Sequence, residues 1–304
     1  MACAATMVIS YRHEPPVEYG VAHTLSPMIR RIVARNPSAF TYHGTGTYVI
    51  GRGNVAIVDP GPALVEHIDA VMLALKDERI THQLVTHTHM DHSPATRLLG
   101  ERTGAPTYGY GPHGEGRFER GAKVEAGGDM KFVPDTALRH GDIVEGDGWS
   151  VEVVHTPGHC SNHLCFQVQG ERALLTGDHV MGWSTSVISP PDGDMGDYLS
   201  SLRMLLERDD SVLLPAHGPA IDDPKAFVSA FIEHRLQREA QIVACLKDGL
   251  VRIADMVPRM YQGLPTTLHG AAARSVFAHV LHMQDKGMLK VDGEPTLTDA
   301  FALL

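Results

Sequence analysis

The chain has 304 residues, 43% hydrophobic, 20% charged and 6% aromatic, enough for a large core and too apolar for disorder as its main state. No stretch approaches the ~20 apolar residues of a membrane helix, which excludes an integral membrane protein. Lys and Arg total 26 against 36 Asp and Glu, a net −10 with neutral histidine, which argues against a general polyanion binder.

Cys3, Cys160, Cys165 and Cys245 show no CxxC spacing, so neither a disulfide framework nor a thiolate zinc ribbon is expected. Met1 to Ser10 is apolar but lacks a basic n-region and meets Arg12 and Glu14 at once. It does not read as a signal peptide, so the expected setting is reduced, cytoplasmic and without a membrane. The outlying number is 19 histidines.

Through about Phe40 the chain is irregular, apart from a basic stretch, Ile29 to Ala34, read as a short helix. Two strand-like runs follow, Thr47 to Ile50 and Val55 to Val58, joined across Gly51, Arg52, Gly53 and Asn54. Gly and Asn supply the positive φ of such a hairpin turn. Asp59-Pro60-Gly61-Pro62 stops the second strand. Leu64, Ile68, Val71, Met72 and Leu75 recur at helical spacing, and Leu84-Val85 predicts a buried strand running into His87.

Further strands are predicted at Ile143-Val144, Trp149 to Val154, Leu164 to Val168, Ala173 to Leu175 and Val212 to Leu214, with a helix over Leu199 to Leu206. Strands mixed with helices predict an α/β layered domain over residues 1–220. Beyond Pro219 comes a long helix, Pro224 to about Lys247, with Val228, Phe231, Leu236, Ala240, Val243 and Leu246 on one stripe. Helices at Ile253 to Met260 and Ala271 to Lys286 follow, then a ribbon over Met288 to Leu297 turning at Asp292-Gly293. Helices followed by a small ribbon predict a winged-helix-like module at 221–304.

The chemistry concentrates in His87-Thr88-His89-Met90-Asp91-His92, directly after a strand. Alternate residues at a strand end project to one side, so His87 and His89 can converge on one ion. Asp91 and His92, on the following turn, can face a second. Imidazole and carboxylate suit zinc and similar first-row metals. Three sites echo the first: His159 in Thr156-Pro157-Gly158-His159, Asp178 in Thr176-Gly177-Asp178, and His217 in Pro215-Ala216-His217-Gly218. Each puts a ligand-type residue just past a short apolar strand, and together they point to a two-metal site.

HxHxDH followed in order by TPGH, GD and AHG resembles the metallo-β-lactamase-fold hydrolases, over about Gly44 to Gly218. The resemblance implies an αββα sandwich with the metals at one edge of its two sheets. It further implies that His87, His89 and His159 bind one ion, that Asp91, His92 and His217 bind the other, and that Asp178 bridges them. Two divalent ions, zinc by ligand type with iron or manganese as alternatives, are the implied cofactors. Such ions, ~3.5–4 Å apart, share a water and lower its pKa towards ~7, giving a bridging hydroxide. Asp91 is the residue expected to orient that nucleophile. Antibiotic-destroying members often carry cysteine where this chain has Asp178, whereas an aspartate resembles the glyoxalase II, ribonuclease and general hydrolase branches.

Asp197-Tyr198-Leu199, His217-Gly218-Pro219, Glu233-His234-Arg235 and Arg238-Glu239 resemble a branch with a C-terminal winged-helix-like domain that includes a lactamase-like endoribonuclease. His163 and His179, close to ligands, are candidates for supporting a ligand, facing substrate or protonating a leaving group. Trp183 and Tyr198 flank a Pro- and Gly-rich loop, Gly182 to Gly196, and are candidates for substrate contact. The charges from Glu233 to Glu239 read as a solvated helix face.

The expected function is metal-dependent hydrolysis of a small or medium ester-like, thioester or amide substrate. The alternative is a single-strand endoribonuclease, but residues 221–304 carry nine basic and ten acidic side chains, not a nucleic-acid footprint. A β-lactamase is disfavoured by the absence of an export signal and of a cysteine at Asp178. A non-catalytic scaffold is disfavoured by the complete ligand set. A homo-oligomer is compatible with all of these readings.

Overall fold

The computed structural model describes residues 9–114, 127–291 and 293–304. The first sheet begins with β1 (His23–Thr24), β2 (Ile29–Val33), β3 (Gly46–Ile50) and β4 (Asn54–Val58), an antiparallel run pairing Ile29 with Ile50 and Tyr48 with Val58. The stretch read as helical from Ile29 is therefore a strand. Its β-branched Ile29, Ile32 and Val33 are all buried and favour a pleated surface. Its arginines are anchored in extended backbone, Arg30 on Glu78 and Gly51 O, Arg31 on Glu14 and Gly218 O.

Helix α1 (Val65–Ala74) crosses over to β5 (Arg79–Leu84), which lies parallel to β4. Helix α2 (Thr96–Thr103) leads to β6 (Thr107–Gly109), and β7 (Thr136–Ala137) completes the parallel edge. The second sheet contains β8 (Ile143–Gly146), β9 (Trp149–His155), β10 (Leu164–Val168) and β11 (Ala173–Gly177) as an antiparallel meander. Helix α3 (Met195–Glu207), whose first turn is capped by the Asp194 carboxylate accepting from Asp197 N, brings β12 (Val212–Pro215) parallel to β11.

Alternation along the strands builds the layers. Ile50, Ala56 and Val58 pack with Val151, Val153, Leu164 and Phe166 between the sheets. Their neighbours Val49, Val55 and Ile57 turn the other way, onto Ile68 and Val71 of α1 and Leu99 of α2. On the far side, Val154, Cys165 and Leu174 pack under Leu199 and Leu202 of α3. The result is the expected αββα sandwich.

The remaining elements are α4 (Pro224–Lys247), α5 (Ile253–Met260), α6 (His269–Asp285), β13 (Leu289–Lys290) and β14 (Ala302–Leu303). Helix α4 has Pro224 in its first turn and is capped by Asp223, whose carboxylate accepts from Ala226 N. Its early residues Phe227, Val228 and Phe231 join the α3 core, while Ile242, Cys245 and Leu246 join a separate core with α5 and α6. Between those cores the predicted stripe fails: Leu236 is 38% exposed, whereas Arg235 and Glu239 are buried. The face read as solvated is thus an internal one. There Glu239 accepts from His282 Nδ1 at 2.7 Å and lies near His279 and Lys286.

The ribbon exists but is wider than predicted, because β13 pairs with β14 in the register Leu289 with Leu303. The predicted turn residue Asp292 lies outside the described residues. No helix among the described residues is long and apolar enough to cross a membrane.

Candidate metal centre

All the candidate ligands arise from one edge of the sandwich, where β5, β9, β11 and β12 end in turns. The turn after β9 is tight because Gly158 has φ +137° and lies against α3; a Cβ there would come 2.3 Å from Tyr198 Cα. After β5 the chain folds back on itself, His92 N and Ser93 N both donating to His89 O. His87, His89 and His159 form one group of converging ligand atoms. Asp91, His92 and His217 form another, and His87, His92 and Asp178 a third, within 4.8 Å in each case.

Asp178 faces both groups. Its Oδ2 is 3.8 Å from His159 Nε2, while its Oδ1 is 3.2 Å from His217 Nε2 and 3.6 Å from His92 Nε2. Asp91 Oδ2 is 3.2 Å from His217 Nε2 and 3.4 Å from His92 Nε2, and accepts from Thr45 Oγ1 at 3.1 Å.

Outer hydrogen bonds set the ring tautomers. His159 Nδ1 donates to Val187 O at 2.6 Å, His92 Nδ1 to Asp59 Oδ2 at 2.8 Å and His217 Nδ1 to Gly44 O at 3.3 Å. Thr86 Oγ1 spends its hydrogen on Asp59 Oδ2 at 2.7 Å, so it accepts from His87 Nδ1 at 3.0 Å. In neutral rings this leaves the Nε2 lone pairs pointing inward, the arrangement seen when a partner fixes a metal-binding histidine.

The donor set fits divalent cations. His87 Nε2 and His159 Nε2 each lie 3.0 Å from His89 Nδ1, and one ring hydrogen can satisfy only one of them. Among the described residues the buried His92 Nε2 and Asp178 Oδ1 make no well-formed hydrogen bond, the nearest approach to Asp178 Oδ1 being His217 Nε2 at 3.2 Å. Against the burial that opposes it, the Asp178 and Asp91 carboxylates hold His217 protonated, pushing its pKa up to about 10. A cation would take over that neutralising role.

Of the four remaining candidates, Trp183 alone lines the cavity that opens from this cluster. His163 is fully buried behind it: Nε2 accepts from Asp178 N at 3.2 Å, so Nδ1 donates to Thr156 Oγ1. His179 is enclosed too, 4.8 Å from the Tyr198 ring, and burial lowers its pKa to about 3. Neither imidazole is placed to protonate a leaving group. Tyr198 is fully buried and donates to His179 O at 2.8 Å, a packing contact rather than one with substrate.

Two residues escape the sequence reading. Asp59 reads there only as the stop of a strand, yet it follows the same signal as the others, a ligand-type residue just past an apolar strand. Arg235, which reads as surface charge, is 3% exposed and lines the cavity; no local signal marks a buried arginine.

The cavity, about 660 Å³, has His89, Asp91, His159, Asp178 and His217 at its base and residues of α4, α6 and the segment joining α5 to α6 along its wall. Phe40 and Met90, both about half exposed, bring apolar surface to its lining.

Residues 43–217 match the Metallo-beta-lactamase superfamily, and residues 253–296 match the Beta-lactamase associated winged helix domain. The chain is 32% identical to a Beta-lactamase-like protein 2 homolog of Caenorhabditis elegans, over 88% of this chain and 86% of the relative. It is 28% identical to an Atrochrysone carboxyl ACP thioesterase of Aspergillus chevalieri, over 89% and 82% respectively. In fold it is similar to a metallo-beta-lactamase family protein of Thermus thermophilus, with TM-score 0.75 and 21% identity over 92% of this chain and 100% of that one.

Proposed function

The chain belongs to the metallo-beta-lactamase superfamily, and from that premise we propose that it is a metal-dependent thioesterase acting on a small or medium acyl thioester. The carrying observation is the cavity of about 660 Å³ that joins the His and Asp cluster to an apolar lining of Phe40, Met181, Trp183, Val187, Leu264 and Leu268. A site of this size, mostly apolar with a few convergent polar groups, suits a small organic substrate. The thioesterase named among its relatives agrees with that chemistry.

In this reading His87, His89 and His159 would hold one ion, Asp91, His92 and His217 a second, and Asp178 would stand between them. Zinc is favoured by the predominance of imidazole, with iron or manganese as alternatives. The bound ions would supply Lewis acidity, making water a competent nucleophile near neutral pH and polarising the acyl carbonyl.

The chain's own residues orient and receive. Asp91, held by the Thr45 hydroxyl, is placed to accept a hydrogen bond from an attacking water. Asp59, Thr86, Val187 and Gly44 keep the imidazoles in the tautomer that aims Nε2 inward. Trp183, stacked on Tyr42 with ring centres 4.9 Å apart, forms a rigid apolar face for the substrate.

The test is metal analysis of purified protein coupled to hydrolysis of a thioester, a lactone, a phosphodiester, a β-lactam and a single-stranded RNA, with and without chelator. About two metals per chain and chelator-sensitive turnover of the thioester are expected. Turnover of another class alone, or none after zinc is restored, overturns the reading.

A further inference from the structure

Arg235, midway along α4, is 3% exposed and has no ion pair among the described residues. Its Nη2 donates to Ser186 O at 2.6 Å, its guanidinium carbon lies 5.0 Å from the Tyr198 ring centre, and its Nε is buried without an acceptor among the described residues. Its charge acts on Tyr11, Tyr198, His179, His234 and His279, none of them anionic at neutral pH, and Asp91 and Asp178, which line the same cavity, form no ion pair with it. Glu239, one turn further along the helix, is engaged by His282 instead. A buried ion normally comes paired, because removing it from water costs several kcal/mol. This one is unpaired and lines the cavity above the candidate metal centre.

Its position is close to the chemistry. Ser186, whose carbonyl holds Arg235, donates through its own hydroxyl to Asp178 O at 2.6 Å. Arg238 and Arg274 also line the cavity, but Arg238 is only half-buried and donates to Gln241 Oε1 and Met260 O, and Arg274 is exposed. Depth therefore separates the three cations: Arg235 lies inside beside the Asp178 loop, Arg238 is half-covered, and Arg274 is at the solvent side.

We propose that Arg235 is a specificity-determining residue that binds a carboxylate carried on the acyl part of the substrate. A guanidinium pairs readily with a carboxylate in bidentate geometry, and such a substrate would supply the counter-charge that the protein lacks. Because Arg235 is buried near Asp178, the anion belongs to the part of the substrate that enters deepest. A phosphate on the thiol carrier would remain outside, nearer Arg274. The inference takes the reaction from the thioester reading, whereas the anion site rests on the surroundings of Arg235 itself.

The experiment compares kcat/KM for three thioesters: glutaryl and its neutral methyl ester on the same uncharged thiol, and a neutral butyryl group on phosphopantetheine. Glutaryl should be preferred over its methyl ester by about 10–100-fold, the worth of charged hydrogen bonds. Arg235→Met should bring that ratio to within about 3-fold, and Arg235→Lys should retain part of it. A general loss of folded enzyme cancels in the ratio. No preference for glutaryl, an unchanged ratio in Arg235→Met, or a preference that follows the phosphate instead would overturn the proposal.

A binding arm is independent of turnover: glutarate against glutaramide, followed by the fluorescence of Trp183 in the same cavity. Arg235→Met should weaken glutarate at least about 10-fold; equal affinity in wild type and variant overturns the anion site. If no thioester is hydrolysed yet glutarate still depends on Arg235, the thioester reading falls and the anion site stands.

Discussion

The carboxylate of Asp59 accepts from His92 Nδ1 at 2.8 Å and from the Thr86 hydroxyl at 2.7 Å, so one buried side chain sets the rings of both His92 and His87. Asp59 reaches them from the end of β4 with φ 52°, a conformation uncommon for a residue with a Cβ. Removing its charge should act on both groups of ligands at once. Asp59→Asn is expected to weaken metal affinity by roughly 10–100-fold, as loss of an outer partner of ligating histidines does. Competition against a chromophoric chelator measures it, and unchanged affinity would show that the rings hold their orientation without the carboxylate.

Asp178→Ala removes the carboxylate that faces both His159 and His217. The variant should retain much less of the second metal and lose activity by on the order of 10²–10³-fold, equivalent to several kcal/mol of transition-state stabilisation. Metal content and kcat/KM measured on the same preparation decide it. Full metal with normal turnover would sink the bridging role.

Gly158→Ala tests the turn that delivers His159. The added Cβ would meet Tyr198 backbone atoms at 2.3 and 2.5 Å, in a conformation at φ +137° that L side chains rarely adopt. Backbone cannot yield as a flexible side chain does, so a loss of about 2–4 kcal/mol is expected from chemical denaturation. Stability within about 0.5 kcal/mol of wild type would contradict the tight packing of this turn on α3.

Acid should destabilise the fold before its carboxylates titrate. Burial holds His67 and His279 neutral and lowers each pKa to about 4. Above pH 6.5 both folded and unfolded states are neutral at these rings, so neither contributes. Between pH 6.5 and 4 the unfolded chain binds protons that the folded one refuses. Stability therefore falls as pH falls, by on the order of 3 kcal/mol per ring at the acid end. His67→Gln should flatten the dependence of the denaturation midpoint on pH over this window. An unchanged slope would mean that His67 takes up its proton in the folded state.

The ligand segments are legible in the sequence because each is local. A residue immediately after a short apolar strand is carried by that strand to the edge of the sheet, and His87, His159, Asp178 and His217 all follow this rule. The hairpin of β3 and β4 and the helices α3, α5 and α6 are legible for the same reason, since periodicity and turn residues lie within a few positions of one another. Where local signals conflict, the reading fails. The basic residues around Ile29 suggest a helix, but Glu78 and Glu14, distant in sequence from their partners, accept those arginines in a strand. His163 and His179 stand near ligands in the chain, yet packing turns both rings inward, away from the cavity.

By itself the sequence determined a layered α/β domain, the order of its ligand-bearing turns and the presence of a helical tail with a ribbon, because strand alternation and helix spacing are properties of short segments. The αββα sandwich was what the family resemblance implied. Only the tertiary structure decided that α4 spans two cores, that Arg235 is buried between them without a counter-ion among the described residues, and that the tail helps to wall the cavity over the candidate metal centre. Those outcomes depend on which distant surfaces meet, and a charge on a helix looks the same in sequence whether water or a neighbouring core covers it.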